Sequence, residues 1–151
     1  MPLNIRRATA ADVPTLVEFN RRLALETEHK TLDVAVLTDG VAAGLADPLK
    51  ARYFVAEEDS QVVGQLMLTT EWSDWRNGWV WWIQSVYVHP DARRKGVFRA
   101  LYEHINQAAV ADPQVVAIRL YMERDNHVAQ QTYLSLGMTL SPYVVLERFP
   151  L

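Results

Sequence analysis

The chain has no cysteine. That excludes a disulfide framework, a thiolate metal site and a cysteine nucleophile, and it fits a reducing cytoplasm, the location expected here. Its six glycines build neither a G-x-G-x-x-G nor a Walker A phosphate loop. There is no G-x-S-x-G elbow, and the four histidines do not fall at metal-ligand spacing, so neither a serine nucleophile nor a metal is expected. No apolar run is long enough to span a bilayer, and the opening MPLNIRRAT lacks a signal core, so no membrane partner is expected. A cationic excess is missing too. The net charge is −3, whereas a general nucleic-acid binder is usually basic, so no nucleic-acid partner is expected.

What is present is a well-mixed sequence of 151 residues, half of them hydrophobic. That suffices for one filled core, and a single domain over residues 1–151 is expected. All five tryptophans lie between positions 72 and 82. An edge strand is expected at Asn4–Arg7. Thr9 and Asp12 then give a capping signal for a helix carrying Val13, Leu16, Val17, Phe19 and Leu23, with a polar exit at Glu26–Lys30. A second helix over Leu32–Ala46 is expected to break at Gly40. Arg52–Glu57 and Val62–Thr70 read as a hairpin around Glu58–Ser60, with Gly64 marking a bulge or a close packing contact. Glu71–Gly78 reads as a loop and Trp79–Val88 as a central strand, apolar on both faces. Helix Val97–Ala111, strand Val115–Met122 and a helix from Asp125 or Asn126 to Leu136 follow, the last with Gly137 as its stop. Met138–Leu140 and Tyr143–Arg148 read as final strands, and exposed they would offer a surface for a homodimer.

The chain is organised around Trp79–Leu101. An apolar strand ends at Pro90, turns through Arg93-Arg94-Lys95-Gly96 and enters a helix. A helix N-terminus presents unpartnered N–H groups and about half a positive charge, so a strand, a cationic loop and a helix start together make an anion cradle for which a phosphate is the natural occupant.

Three features here resemble the GNAT family of N-acetyltransferases over essentially the whole chain. Arg93-x-x-Gly96-x-Phe98 is similar to the family's pyrophosphate loop. Asn126-x-x-Ala129-x-x-x-Tyr133-x-x-x-Gly137 is similar to its second cofactor segment. The order of elements is the third. The resemblance implies a mixed α/β (α+β-like) fold with a mostly antiparallel sheet and one parallel β-α-β crossover, splayed where acetyl-CoA enters as cosubstrate. It implies that Val86, Tyr87 and Val88 offer backbone groups to the pantetheine arm. The amides of Arg94, Lys95, Gly96, Val97, Phe98 and Arg99, with Arg93 beside them, would hold the pyrophosphate, and Asn126, Ala129 and Tyr133 would complete the cofactor site. Phe98 departs from the family's glycine or alanine, so its side chain is expected to turn into the core beneath the helix.

The implied activity is acetyl transfer to a primary amine of a small molecule by direct attack. The same fold also hosts peptide and protein acetyltransferases, and a non-catalytic acyl-CoA-binding domain is a further alternative. Tyr133 matches the family's general acid for the departing thiolate. The base stays open, because Trp79–Val88 carries no carboxylate: Glu71, Asp74, Glu123, Glu26, Glu28 or a water chain to Gln84 or Ser85 would serve, with Glu71 and Glu26 preferred. Aromatic faces near carboxylates suit a cationic amine, so Trp72 and Trp75, with Asp74 and Gln84, are the expected acceptor contacts.

Overall fold

A computed structural model describes residues 2–151. Strands β1 (Asn4–Arg7), β2 (Arg52–Glu58), β3 (Gln61–Ser73), β4 (Gly78–Val88) and β5 (Val115–Leu120) form one sheet in that spatial order. The first three junctions are antiparallel and β4–β5 is parallel. Helices α1 (Val13–Glu28), α2 (Val34–Ala46), α3 (Val97–Ala111) and α4 (His127–Ser135) complete the order. The expected mixed sheet and parallel crossover are therefore present. The chain divides into two compact units, one through Tyr121 and one from Met122 to Leu151. Among the described residues no helix is long and apolar enough to cross a membrane.

Local chemistry sets these elements. Thr9 and Asp12 form the capping box, over a single 3-10 turn from which α1 continues. Asp12 also accepts both terminal nitrogens of Arg6, at 2.8 and 2.9 Å, so the start of α1 is pinned to β1. The Arg6 hydrogen bonds hold the Asp12 carboxyl below the usual carboxylate range despite its burial. The β2–β3 hairpin turns through Asp59 and Ser60 at φ 52° and 64°, the left-handed pair that matches strand twist.

Strand alternation then sorts the side chains. Tyr53 and Val55 join Leu16 and Val41 in a core beneath α1 and α2. On the other face, α3 comes so close that a Cβ on Gly64 would lie 2.7 Å from Val97 Cγ1. Leu66, Leu68, Ile83, Leu101 and Ile105 are essentially inaccessible, and burying a side chain of this kind is worth about 1.5–3 kcal/mol.

Several expectations are corrected. Helix α2 runs unbroken through Gly40, since a single glycine costs only about 1 kcal/mol in a helix and packing offsets it. Strand β3 extends to Ser73, three residues into the expected loop, because the hairpin with β4 carries the ladder to Ser73↔Gly78. The two final strands do not form. All of Thr139–Leu151 lies outside any helix or strand, and alternation of strand formers alone does not make a strand.

Candidate active site

Strand β4 is laddered on both sides only over its first part. Its pairing with β5 ends at Ile83↔Leu120, while its pairing with β3 runs on to Gly64↔Val88. Within that second stretch the register slips: Gln65 faces Tyr87 and Met67 faces Gln84, so Ser85 and Val86 stand opposite Leu66 alone. This is a β-bulge, which bends a strand and re-aims its polar groups. Ser85 sits at φ 53°, and its carbonyl accepts the Nε2 hydrogen of the fully buried Gln65 at 2.9 Å. Val86 thus closes the bulge, and Tyr87 and Val88 follow it, all three beyond the last β5 pairing.

The loop continues from there. His89 Nδ1 accepts the Asp91 N–H and caps a 3-10 turn over Pro90–Ala92. Arg94 and Gly96 take left-handed torsions, φ 63° and 79°. Gly96 is the N-cap of α3, and no side chain caps that helix. Open space lies where its Cβ would be, so the helix start is uncovered toward a ligand. Arg94 and Lys95 are exposed and make no ion pair among the described residues.

Arg93 is placed differently from its neighbours. Its Nε donates to the Val88 carbonyl at 2.9 Å, its Nη2 donates to Glu26 at 2.7 Å, and its guanidinium lies 5.3 Å from the Tyr87 ring centre. The Tyr87 hydroxyl donates to the other oxygen of Glu26. A clasp therefore joins the end of α1, the post-bulge strand and the loop. Burial works to raise the Glu26 carboxyl, but the Tyr87 hydrogen bond and Arg93 outweigh it and hold the pKa below its ordinary value. The Tyr87 phenol is pushed up by burial and by Glu26.

Phe98 does not enter the core as expected. Val97 takes that place, while Phe98 is half-buried with its ring 6.2 Å from Tyr102 on the next turn. The helix phase decides this: positions 97, 101 and 105 form the buried stripe.

On the α1 side of the β3–β4 hairpin the register aligns Thr69 with Trp82 and Met67 with Gln84. Glu71 accepts the Trp82 indole hydrogen at 2.7 Å, and Gln84 donates to Thr69 at 2.6 Å. The Trp82 ring lies 5.9 Å from that of Tyr121, just past the end of β5. Trp72 is not with them. It is paired with Trp79 on the opposite face of the hairpin, ring centres 5.0 Å apart. Asp74 and Trp75 belong to the hairpin turn, where Asp74 accepts the Trp75 N–H, and Trp75 is 86% exposed.

In the second unit Asn126 caps α4 by accepting the Ala129 N–H at 3.1 Å. Gly137 ends the helix at φ 94°, with the Met138 N–H on the Tyr133 carbonyl. Burial pushes the Tyr133 phenol up, so it keeps its proton well into the alkaline range.

Sequence reasoning missed Gln65, Trp82, Tyr121 and the tie between Glu26 and Arg93. Gln65 carried a signal, a polar side chain at an inward position of an apolar alternation. The Glu26–Arg93 tie spans 67 positions and leaves no local trace.

A search of curated proteins finds no match. Among solved structures, one described as a possible acetyltransferase from Clostridium difficile 630 is 45% identical, over 100% of this chain and 99% of its own, with TM-score 0.93. A predicted acetyltransferase with acetyl-CoA, from Clostridium acetobutylicum, shares the fold at 19% identity and TM-score 0.78, over 97% of this chain and 96% of its own. An integron cassette protein from the mobile metagenome of Cole Harbour Salt Marsh matches at 24% and 0.82, over 95% and 88%. The family model for the acetyltransferase (GNAT) family fits residues 17–138, most of the chain and all of the split strand, loop and helix described above, and the chain belongs to that family.

Proposed function

We infer that the protein is an acetyl-CoA-dependent N-acetyltransferase that acetylates a small cationic amine by direct attack. One observation carries this reading: the end of β4 has lost its parallel neighbour directly beside a glycine-led, uncapped helix start. An extended amide-bearing arm fits along such a strand edge, and a pyrophosphate fits on such a helix start. The acetyl-CoA bound by the Clostridium acetobutylicum protein has groups of both kinds. In this reading Val86, Tyr87 and Val88 meet the arm. The Arg94–Arg99 segment meets the pyrophosphate, with Arg93 as its anchor, and Asn126 and Ala129 shape the second segment.

The acceptor arrives as an ammonium and must lose a proton before it attacks, since its pKa lies near ~10.4. Glu71 takes that proton, and Trp82 and Tyr121 present ring faces to the cation. Trp72, Trp75 and Asp74 are left as outer contacts of the hairpin, and Gln84 orients the amine. The amine nitrogen then bonds to the thioester carbonyl carbon. The C–S bond breaks as the tetrahedral oxyanion collapses, the thiolate takes a proton from Tyr133, and the nitrogen gives up its second proton. One acetamide, one CoA thiol and one proton result. Glu26, the other carboxylate of interest, is engaged by Arg93 and Tyr87, which suits an anchor better than a base.

The test is CoA thiol release from acetyl-CoA against polyamines, amino acids, aminoglycosides and peptide N-termini. A small amine should be turned over, and Tyr133→Phe should lower kcat about 10²-fold or more while acetyl-CoA still binds. Turnover of peptide N-termini alone would overturn the small-molecule assignment. Tight acetyl-CoA binding with no acceptor turned over would favour an acyl-CoA-binding domain.

A further inference from the structure

Gln65 is a fully buried amide on β3, on the same face as Met67, which packs against the core beneath α1 and α2. Burying an amide is unfavourable unless its polar atoms are hydrogen-bonded, and only one end of this side chain is. Nε2 donates to the Ser85 carbonyl at 2.9 Å. That bond fixes the orientation of the amide, because the reverse would set two acceptors together. Among the described residues no donor then reaches Oε1. An apolar side chain of the same size would fill the place without that penalty, so core stability does not account for the amide.

The bond to Ser85 does. Ser85 is the first of the two residues facing Leu66, and it sits at φ 53°. A left-handed first residue of a bulge is usually glycine, and another residue persists there only where its surroundings hold it. Gln65 supplies that hold from the neighbouring strand. The consequence runs along β4. Gln84 pairs with Met67, so an unbulged ladder would carry Tyr87 to Gly64 and Val88 to Val63, whereas the observed partners are Gln65 and Gly64. A slip of one residue turns a side chain to the other face. The inserted residue therefore puts Tyr87 on the α1 side, where its ring lies 5.2 Å from that of Phe19 and its hydroxyl reaches Glu26. Unbulged, Tyr87 would stand on the face of Gly64, against Val97 of α3. The same insertion points the Val88 carbonyl away from β3 to accept Arg93 Nε, while the His89 N–H keeps the ladder by donating to the Val63 carbonyl at 2.8 Å.

We propose that Gln65 is a positioning residue: its buried amide holds Ser85 as the inserted residue of β4, and so sets the face of Tyr87 and the direction of the Val88 carbonyl. Its consequence for the cofactor rests on the acetyl-CoA reading above.

The experiment compares Gln65→Met, which keeps the length and loses the donor, with Gln65→Met/Ser85→Gly. The readouts are melting temperature, the acetyl-CoA dissociation constant by calorimetry, and the backbone chemical shifts of residues 84–88. Gln65→Met should melt near the wild type, lose the left-handed shift signature at Ser85 and bind acetyl-CoA at least about tenfold more weakly, a coupling of the size found between residues in contact. Adding Ser85→Gly should restore the shifts, and bring the affinity to within about threefold of wild type, because glycine takes the torsion unaided. A residue that only filled the core would lower the melting temperature and would not be rescued from position 85. Should Gln65→Met alone unfold, the double variant carries the test by the same criterion. The proposal is overturned by Gln65→Met with wild-type shifts and affinity, or by a double variant that fails to recover or to fold. A wild type that bound no acetyl-CoA would sink the cofactor reading alone, since the shifts at residue 85 would still decide the role of Gln65.

Discussion

Residues 79–83 and 84–88 of β4 are continuous in the chain, and both stretches are made mostly of aromatic and aliphatic strand formers. The first stretch is laddered to β3 and β5, the second to β3 only. A strand paired on both sides has spent its amides and carbonyls on its neighbours and has none for a ligand. The second stretch keeps one set, because the bulge at Ser85 and Val86 turns it and β5 stops at Leu120. The same backbone is paired on both sides in one half and open on one side in the next, and one inserted residue marks the change.

The sharpest division is tested at Ile83, in the doubly paired half. Ile83→Ala should cost about 3 kcal/mol in denaturant unfolding, since the site is fully buried. The folded fraction should bind acetyl-CoA with wild-type affinity, and a matching loss of affinity would erase the distinction. Gly64 lies opposite the other half, at the foot of α3. Gly64→Ala drives a Cβ to 2.7 Å from Val97, so about 1–3 kcal/mol of overpacking is expected. Here the acetyl-CoA dissociation constant should rise as well, because Val97 opens the helix.

The clasp on the second half gives a smaller effect. Glu26→Gln should raise KM for acetyl-CoA about tenfold, roughly 1.4 kcal/mol, with kcat nearly kept; a large fall in kcat at unchanged KM would instead make Glu26 a base. The pH dependence has a definite sign. The folded Glu26 pKa is depressed, so its contribution to stability is complete above the ordinary glutamate value of about 4.3 and fades as pH falls through the lower folded value. The melting-temperature gap between wild type and Glu26→Gln should therefore close on acidification. Smallest of all is Ser85→Gly. Relief of left-handed strain, about 1–2 kcal/mol, is largely offset by the looser unfolded chain, about 0.4–1 kcal/mol. Stability and rate should stay near wild type, and a lost rate would mean that the serine hydroxyl itself acts.

Much of the frame was legible from residue patterns. The apolar strand before the basic loop, the capping box at Thr9 and Asp12, and the caps at Asn126 and Gly137 rest on interactions a few residues apart, which periodicity and turn chemistry report directly. Trp72 was misplaced into a loop because its strand character comes from pairing with Trp79, across a turn of polar residues. Phe98 was misassigned because the phase of α3, and not the presence of an aromatic, decides which side chain faces the sheet.

By itself, then, the sequence determined the strand–loop–helix cradle: glycine at position 96, proline at 90 and the apolar stripe of α3 act locally and leave few alternatives. Tertiary structure alone decided which polar groups remain open. Whether the edge of β4 is covered depends on where β5 stops, and whether Arg93 faces Glu26 depends on how α1 crosses the sheet. Each is a contact between residues distant in sequence, and the residues at either end carry no mark of the partner they will meet.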